Sequence, residues 1–139
     1  MIQIIAGEKG KGKTKILLDK VNADVLSAKG NIVYLDKSTK HMYELSNKVR
    51  LINVRDYCVD EPKEFLGFIC GLVSQDHDLE KVFLDSFLKI ACTEEGDITP
   101  VIEKLEMISN KFDVDFVISV SKNKDDLPEV AQKYVIVSL

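Results

Sequence analysis

The eight residues 7–14, Gly-Glu-Lys-Gly-Lys-Gly-Lys-Thr, are the part of the chain whose types and spacing are best suited to chemistry. They fill every required position of the pattern G-x-x-x-x-G-K-[ST], in which glycines let several backbone N–H groups turn inward toward one anion. Lys13 would then reach the β- and γ-phosphates of a nucleotide, and the Thr14 hydroxyl would bind Mg²⁺. We therefore predict that a nucleoside triphosphate is bound by Gly7, Glu8, Lys9, Gly10, Lys11, Gly12, Lys13 and Thr14.

The segments on either side of this loop decide whether the match has meaning. Residues 2–6 form an apolar, β-branched run typical of a strand, and residues 13–28 carry apolar side chains at helical spacing up to Gly30. The alternative is a glycine- and lysine-rich surface turn between a strand and a helix. The order strand, loop, helix is the one that phosphate binding requires, and it favours the phosphate loop.

Strands and helices alternate along the rest of the chain. Apolar runs predict strands at residues 31–36, 81–85, 115–121 and 134–139 and a weaker one at 49–54, while helical periodicity predicts helices at 39–47, 61–75, 98–112 and 127–132. Runs that are apolar on both faces are typical of a parallel sheet covered on both sides. We predict one α/β domain over residues 1–139, a three-layer sandwich around a mainly parallel five-stranded sheet.

Two of the predicted strands end in a carboxylate. Asp85 closes the third apolar run, where a buried charge has to be paired, hydrated or bound to a metal, and water-mediated binding of Mg²⁺ would meet that need. Capping the following helix is the alternative. Asp36 ends the second run, where it could polarise an attacking water or instead cap the short helix after Ser38.

Polar residues also follow the fourth predicted strand. Ser119 and Ser121 lie on one face of that strand, and we expect only the residues after Ser119 to reach the crevice at the end of the sheet. We therefore expect Ser121 and Asn123 to contact a ligand bound in that crevice, with ordinary turn chemistry as the alternative.

The glycine-lysine loop and the two runs that end in Asp36 and Asp85 together resemble a compact RecA-like P-loop ATPase over nearly the whole chain. The resemblance implies a Walker A element at residues 7–14, a Walker B element ending at Asp85, and ATP and Mg²⁺ as cofactors. It also implies the sheet order 5-1-4-3-2, with Asp85 opposite Thr14 and both residues as metal ligands. Lys13, Asp85 and Asp36 are the expected catalytic residues.

The sequence departs from that family where a catalytic Glu is usually found. Ser86 follows Asp85, and residues 36–38 read Asp-Lys-Ser. We therefore expect a slow ATPase. The alternatives are a small-molecule or nucleotide kinase, which the scarcity of arginine (only Arg50 and Arg55) disfavours, and a nucleotide-responsive binding module with little hydrolysis.

Composition and sequence pattern limit the classes of binding partner and the cellular compartment that we expect. A net charge of −4 argues against nucleic acid and anionic membranes, no apolar run is long enough to cross a membrane, and the N-terminus has no signal-peptide pattern. Three widely spaced cysteines are typical of reduced thiols in a cytoplasmic protein, with Cys70 expected in the core. Because the chain ends at Leu139, we expect the base site to be open or completed by another subunit or a larger protein partner.

Overall fold

Six short runs of apolar and β-branched residues pair side by side, all parallel, in the computed structural model, which describes residues 1–139. The strands are β1 (Ile2–Ala6), β2 (Asn31–Asp36), β3 (Val49–Asn53), β4 (Leu79–Leu84), β5 (Asp115–Val120) and β6 (Val135–Ser138). The helices are α1 (Lys13–Asp24), α2 (Pro62–Gln75), α3 (Phe87–Ile90), α4 (Thr99–Phe112) and α5 (Glu129–Gln132). The order across the sheet is β3-β2-β4-β5-β1-β6.

The prediction of five strands is wrong by one edge strand. Without β3, the order β2-β4-β5-β1-β6 is the reverse reading of the expected 5-1-4-3-2. The sixth strand is the weakly patterned segment at residues 49–53, which pairs with the outer side of β2 from Ile32–Val49 to Asp36–Asn53. Because β3 has only one neighbour and is partly exposed, its sequence does not have to be continuously apolar.

Helices cover both faces of the sheet, as the three-layer prediction requires. On one face, Leu17, Leu18 and Val21 of α1 pack on strand residues such as Ile5 and Phe83. On the other face, α2, α3, α4 and α5 bury a larger cluster that includes Phe65, Ile102 and Phe116. Each fully buried side chain of this size contributes about 1.5–3 kcal/mol, so the larger cluster is the main stabilising layer.

Two predicted helices and one predicted core residue differ from the structure. Helix α1 ends at Asp24, and residues 39–47 contain only a 3-10 turn, Met42–Glu44. Cys70 lies on the exposed side of α2 and not in the core, and all three cysteines are free thiols. No helix has the length and apolar character needed to cross a membrane.

Candidate functional site

The glycine-rich loop, residues 7–14, connects the end of β1 to the start of α1. Gly10 and Gly12 have φ angles of 86° and 91°, in the left-handed region that residues with a Cβ rarely adopt. Gly12 directly precedes α1, and no side chain caps the N-terminus of that helix. The first N–H groups of α1 therefore remain available for an anion, and the helix dipole favours negative charge at the same place.

Lys13 is the one buried lysine among the three lysines of this loop. Its side chain is only 8% exposed, and its Nζ donates a hydrogen bond to the backbone carbonyl of Glu8 at 3.0 Å. No carboxylate lies within ion-pair distance of Nζ. Burial lowers the pKa of Lys13, and the negative charge of Asp85 partly opposes that shift. The loop thus holds a cation that has no charged partner in the protein, which suits it to an anionic ligand.

Strand geometry brings Asp85 to the loop. Side chains alternate along a strand, and Phe83 faces α1, so Asp85 two residues later also points toward α1 and reaches Thr14. The Thr14 hydroxyl donates to Oδ1 of Asp85 at 3.3 Å. Helix α3 begins after Ser86, and Asp85 is not its N-cap residue, so the capping role considered for Asp85 is not observed.

The Asp85 carboxylate is buried, at 2% exposure, and it is fully hydrogen-bonded. Besides Thr14, Oδ1 accepts from the Ser86 N–H at 2.9 Å and the Ser119 hydroxyl at 2.7 Å, and Oδ2 accepts from the Tyr34 hydroxyl at 2.7 Å. Burial raises the pKa of the Tyr34 phenol, and the Asp85 charge raises it further, so Tyr34 remains a donor at neutral pH. Four donors fix the orientation of the carboxylate toward the loop.

Sequence reasoning missed Ser119 and Tyr34. The prediction that only residues beyond Ser119 reach the crevice is wrong, because the β4–β5 register pairs Leu84 with Ile118 and so places Asp85 beside Ser119. Alternation along β5 and β2 could have shown which face these side chains share. The register between strands that are distant in sequence could not be read from the pattern.

Asp36 lies at the end of β2, next to the end of β4. It is 3% exposed, and Oδ1 accepts the Lys37 N–H at 2.7 Å. Burial raises the pKa of Asp36 to about 6, and the nearby charge of Asp85 contributes in the same direction. The predicted helix that Asp36 was to cap is not formed, so the capping role considered for Asp36 is not observed.

The two polar residues expected beyond β5 are separated in the structure. Ser121 lines the cleft beside Lys13 and Thr14. Asn123 instead donates from Nδ2 to the Glu8 carboxylate at 3.0 Å and ties the segment after β5 to the glycine-rich loop. Asn123 is therefore in contact with the loop and not with the cleft.

The glycine-rich loop and the carboxyl ends of β2, β4 and β5 enclose a cleft of about 200 Å³, here called the inner cleft. It is lined without any apolar side chain by Lys9, Gly10, Gly12, Lys13, Thr14, Lys37, Asp85, Ser86, Ser119 and Ser121. Three of these are lysines and one is a carboxylate, so the cleft favours a polyanion. The Thr14 hydroxyl and the Asp85 carboxylate offer the oxygen ligands that Mg²⁺ prefers, and the short distance between them fits that ion.

Comparison with known proteins gives a likeness of structure but not of sequence. No protein-family model and no curated protein matches this chain. Among solved structures, the flagellar accessory protein FlaH from Methanocaldococcus jannaschii matches with a TM-score of 0.59 and 13% sequence identity. The match covers 92% of this chain and 63% of FlaH. A likeness at this identity concerns the fold alone, and it supports an α/β fold with an all-parallel sheet, similar to that of FlaH.

Proposed function

We propose that this chain is a Mg²⁺-dependent ATP-binding P-loop protein and that it hydrolyses ATP slowly. The observation that carries the proposal is the Thr14 hydroxyl 3.3 Å from the buried Asp85, directly after a glycine-rich loop with an uncapped helix N-terminus. This combination offers oxygen ligands for a metal and N–H donors for phosphates within one cleft. The parallel α/β fold that the chain shares with FlaH agrees with this proposal.

Each residue then has a defined part in binding. Lys13 and the loop N–H groups hold the β- and γ-phosphates, with Lys9 and Ser121 around the terminal phosphate. The Thr14 hydroxyl and, through water, Asp85 would hold Mg²⁺, which when bound would neutralise phosphate charge. Asp36 accepts the proton of the attacking water.

A nucleotide-responsive binding module is a second candidate. It is favoured by one observation: Asp85 is the single carboxylate that lines the inner cleft, and it is already occupied by four donors. Such a protein would bind ATP and release almost no phosphate. A phosphate-release assay on the isolated chain separates it from the slow ATPase.

Titration calorimetry tests the binding part of the proposal. Lys13→Ala should weaken Mg·ATP binding by about 100-fold or more, because it removes the cation on the phosphates. Asp85→Asn should weaken binding in Mg²⁺ more than binding in EDTA, because its carboxylate acts on the metal. Lys15→Ala is the matched control, since Lys15 carries the same charge next to the loop but is exposed and paired with Asp19.

Two outcomes would count against the proposal. Unchanged ATP affinity in a folded Lys13→Ala variant would remove the glycine-rich loop from nucleotide binding. Equal losses in Mg²⁺ and in EDTA for Asp85→Asn would mean that Asp85 supports the fold of the loop and not a metal.

A further inference from the structure

A second cleft of about 390 Å³ adjoins the inner cleft at the carboxyl ends of the strands and is here called the outer cleft. The two clefts share Lys9, Lys37, Ser86 and Ser121, and the outer cleft alone is lined by Leu88, Lys89, Glu94 and Lys122. Its walls come from four separate segments, which follow β1, β2, β4 and β5. In parallel α/β sheets this edge is where ligands bind.

The outer cleft concentrates positive charge that the protein does not neutralise. Four lysines line it against one exposed carboxylate, Glu94, and none of the four forms an ion pair within 4.0 Å. Lys37, Lys89 and Lys122 are half-buried. Ammonium groups that are partly withdrawn from water and lack a counter-ion are costly unless an anion compensates them.

The neighbourhood of Lys37 shows the crowding directly. Burial lowers the pKa of Lys37, the adjacent Lys89 lowers it further and Arg55 adds to the effect, while Asp36 opposes it. The chain as a whole carries a net charge of −4, so this accumulation of cations is local and opposite in sign to the rest of the surface. An anion placed between Lys37 and Lys89 would relieve their repulsion.

We propose that the outer cleft binds a second, small anionic molecule that carries phosphate or carboxylate groups. Its volume lies in the range of small-molecule sites, and Leu88 is its single apolar lining residue, so the lysine charges and a hydrogen bond from the Ser86 hydroxyl provide recognition. The evidence for the site is the cluster of lysines without ion pairs. Only its position beside the terminal phosphate of a nucleotide rests on the proposed function.

Amide NMR shifts at Lys89 and Lys122 test the outer cleft in the protein saturated with Mg²⁺ and a non-hydrolysable ATP analogue. The protein is titrated with inorganic phosphate and separately with citrate. At least one of the two anions should change the amide chemical shifts of Lys89 and Lys122 in a saturable way. Lys89→Ala/Lys122→Ala should weaken that binding by about tenfold or more and change the affinity for the analogue by less than about twofold. Lys63→Ala/Lys104→Ala is the control, because it removes the same charge at exposed, unpaired sites on α2 and α4.

The proposal is overturned if neither anion gives saturable shifts, or if the two double variants weaken binding equally. Failure of the ATP analogue to bind would instead overturn the proposed nucleotide site, and the same titrations without nucleotide would still decide the outer cleft. The amide spectrum also reports folding. If the double variant is unfolded, the single variants Lys89→Gln and Lys122→Gln replace it.

Discussion

Asp85 is the residue on which the candidate site depends. A carboxylate with 2% exposure is tolerated because four donors surround it, and a hydrogen bond to a charged group is worth about 1.5–3 kcal/mol. Three of these donors come from other elements: Thr14 from α1, Tyr34 from β2 and Ser119 from β5. The carboxylate is therefore held in one orientation by the fold as a whole and not by its own loop.

Asp36, unlike Asp85, is a carboxylate whose ionised form is disfavoured by its surroundings. Burial and the charge of Asp85 raise the pKa of Asp36 to about 6. A raised pKa means that the folded state binds the proton more tightly than the unfolded state, so stability falls as pH rises from about 4 to about 6. Asp36→Asn should therefore increase the free energy of unfolding above pH 6, on the order of 2 kcal/mol. The gain should vanish near pH 4. Urea denaturation at both pH values measures it.

Asp97→Asn is a suitable control for this measurement. Hydrogen bonds from Thr99 lower the pKa of the exposed Asp97, so its ionised form is favoured and removing the charge should bring no gain at neutral pH. If Asp36→Asn were no more stable than the wild type at neutral pH, ionised Asp36 would not be a cost to the fold, and a pKa near 6 would be excluded.

At the level of elements, local patterns predicted the strands well and their lateral contacts less well. Apolar runs located β1, β2, β4, β5 and β6 to within two residues, because buried parallel strands have to be apolar on both faces. The contact of Ser119 with Asp85 depends on the register of β4 against β5, which are joined by a crossover of about 30 residues. Sequence spacing carries no information on that register.

The predicted helices failed where long-range hydrogen bonds compete with helical ones. Asn22 of α1 donates to the Glu44 carbonyl at 2.8 Å and accepts from the Ser46 N–H at 2.9 Å, which holds the segment after β2 in a non-helical path. At the end of α1, Lys81 of β4 binds the Asp24 carboxylate at 2.9 Å, and the following residues form tight turns. Neither contact is visible in local periodicity.

The turn from the glycine-rich loop into α1 allows a prediction about backbone strain. A Cβ added to Gly12 meets no atom within 4 Å, so Gly12→Ala has space but must adopt a φ near 91°. We expect a loss of about 1–2 kcal/mol in the free energy of unfolding, which is the cost of the left-handed region for a residue with a Cβ. Thermal or urea denaturation measures this loss.

Gly67→Ala provides the matched control. Gly67 lies inside α2, also with no atom within 4 Å of an added Cβ, and its φ is not positive. The same substitution should there stabilise the protein by about 0.5–1 kcal/mol, because glycine is a poor helix former. Effects of equal sign at the two positions would mean that the loop relaxes to a different backbone when Gly12 is replaced.

On the scale of the whole molecule, positive charge is concentrated at one edge of the sheet. The chain is acidic overall, yet Lys9, Lys13, Lys37, Lys89 and Lys122 lie around the crevice at the carboxyl edge of the sheet. Such a distribution raises the local concentration of anions at that edge and repels them elsewhere. Composition predicted the overall sign, but only the fold brings lysines from four distant segments together.

This distribution favours binding of phosphates more than their hydrolysis, and it leads to a prediction about turnover. Neither arginine lines the inner cleft, and Asp85, the single carboxylate that lines it, is hydrogen-bonded to four donors. An arginine that stabilises the transition-state charge on the phosphates is worth about 10³–10⁵ in rate. Because the inner cleft has no arginine, the isolated chain should hydrolyse ATP at well below about 1 s⁻¹. A phosphate-release assay under saturating Mg·ATP measures this rate.

The pH dependence of that rate identifies the base. Asp36 has to be ionised to accept a proton from water, so the rate should fall as pH decreases below about 6, where the carboxylate becomes protonated. Asp36→Asn should remove most of the residual rate and leave Mg·ATP affinity nearly unchanged, since the proposed function assigns Asp36 no part in holding the phosphates or the metal. A rate of about 1 s⁻¹ or more in the wild type, or an unchanged rate in Asp36→Asn, would require a base other than Asp36.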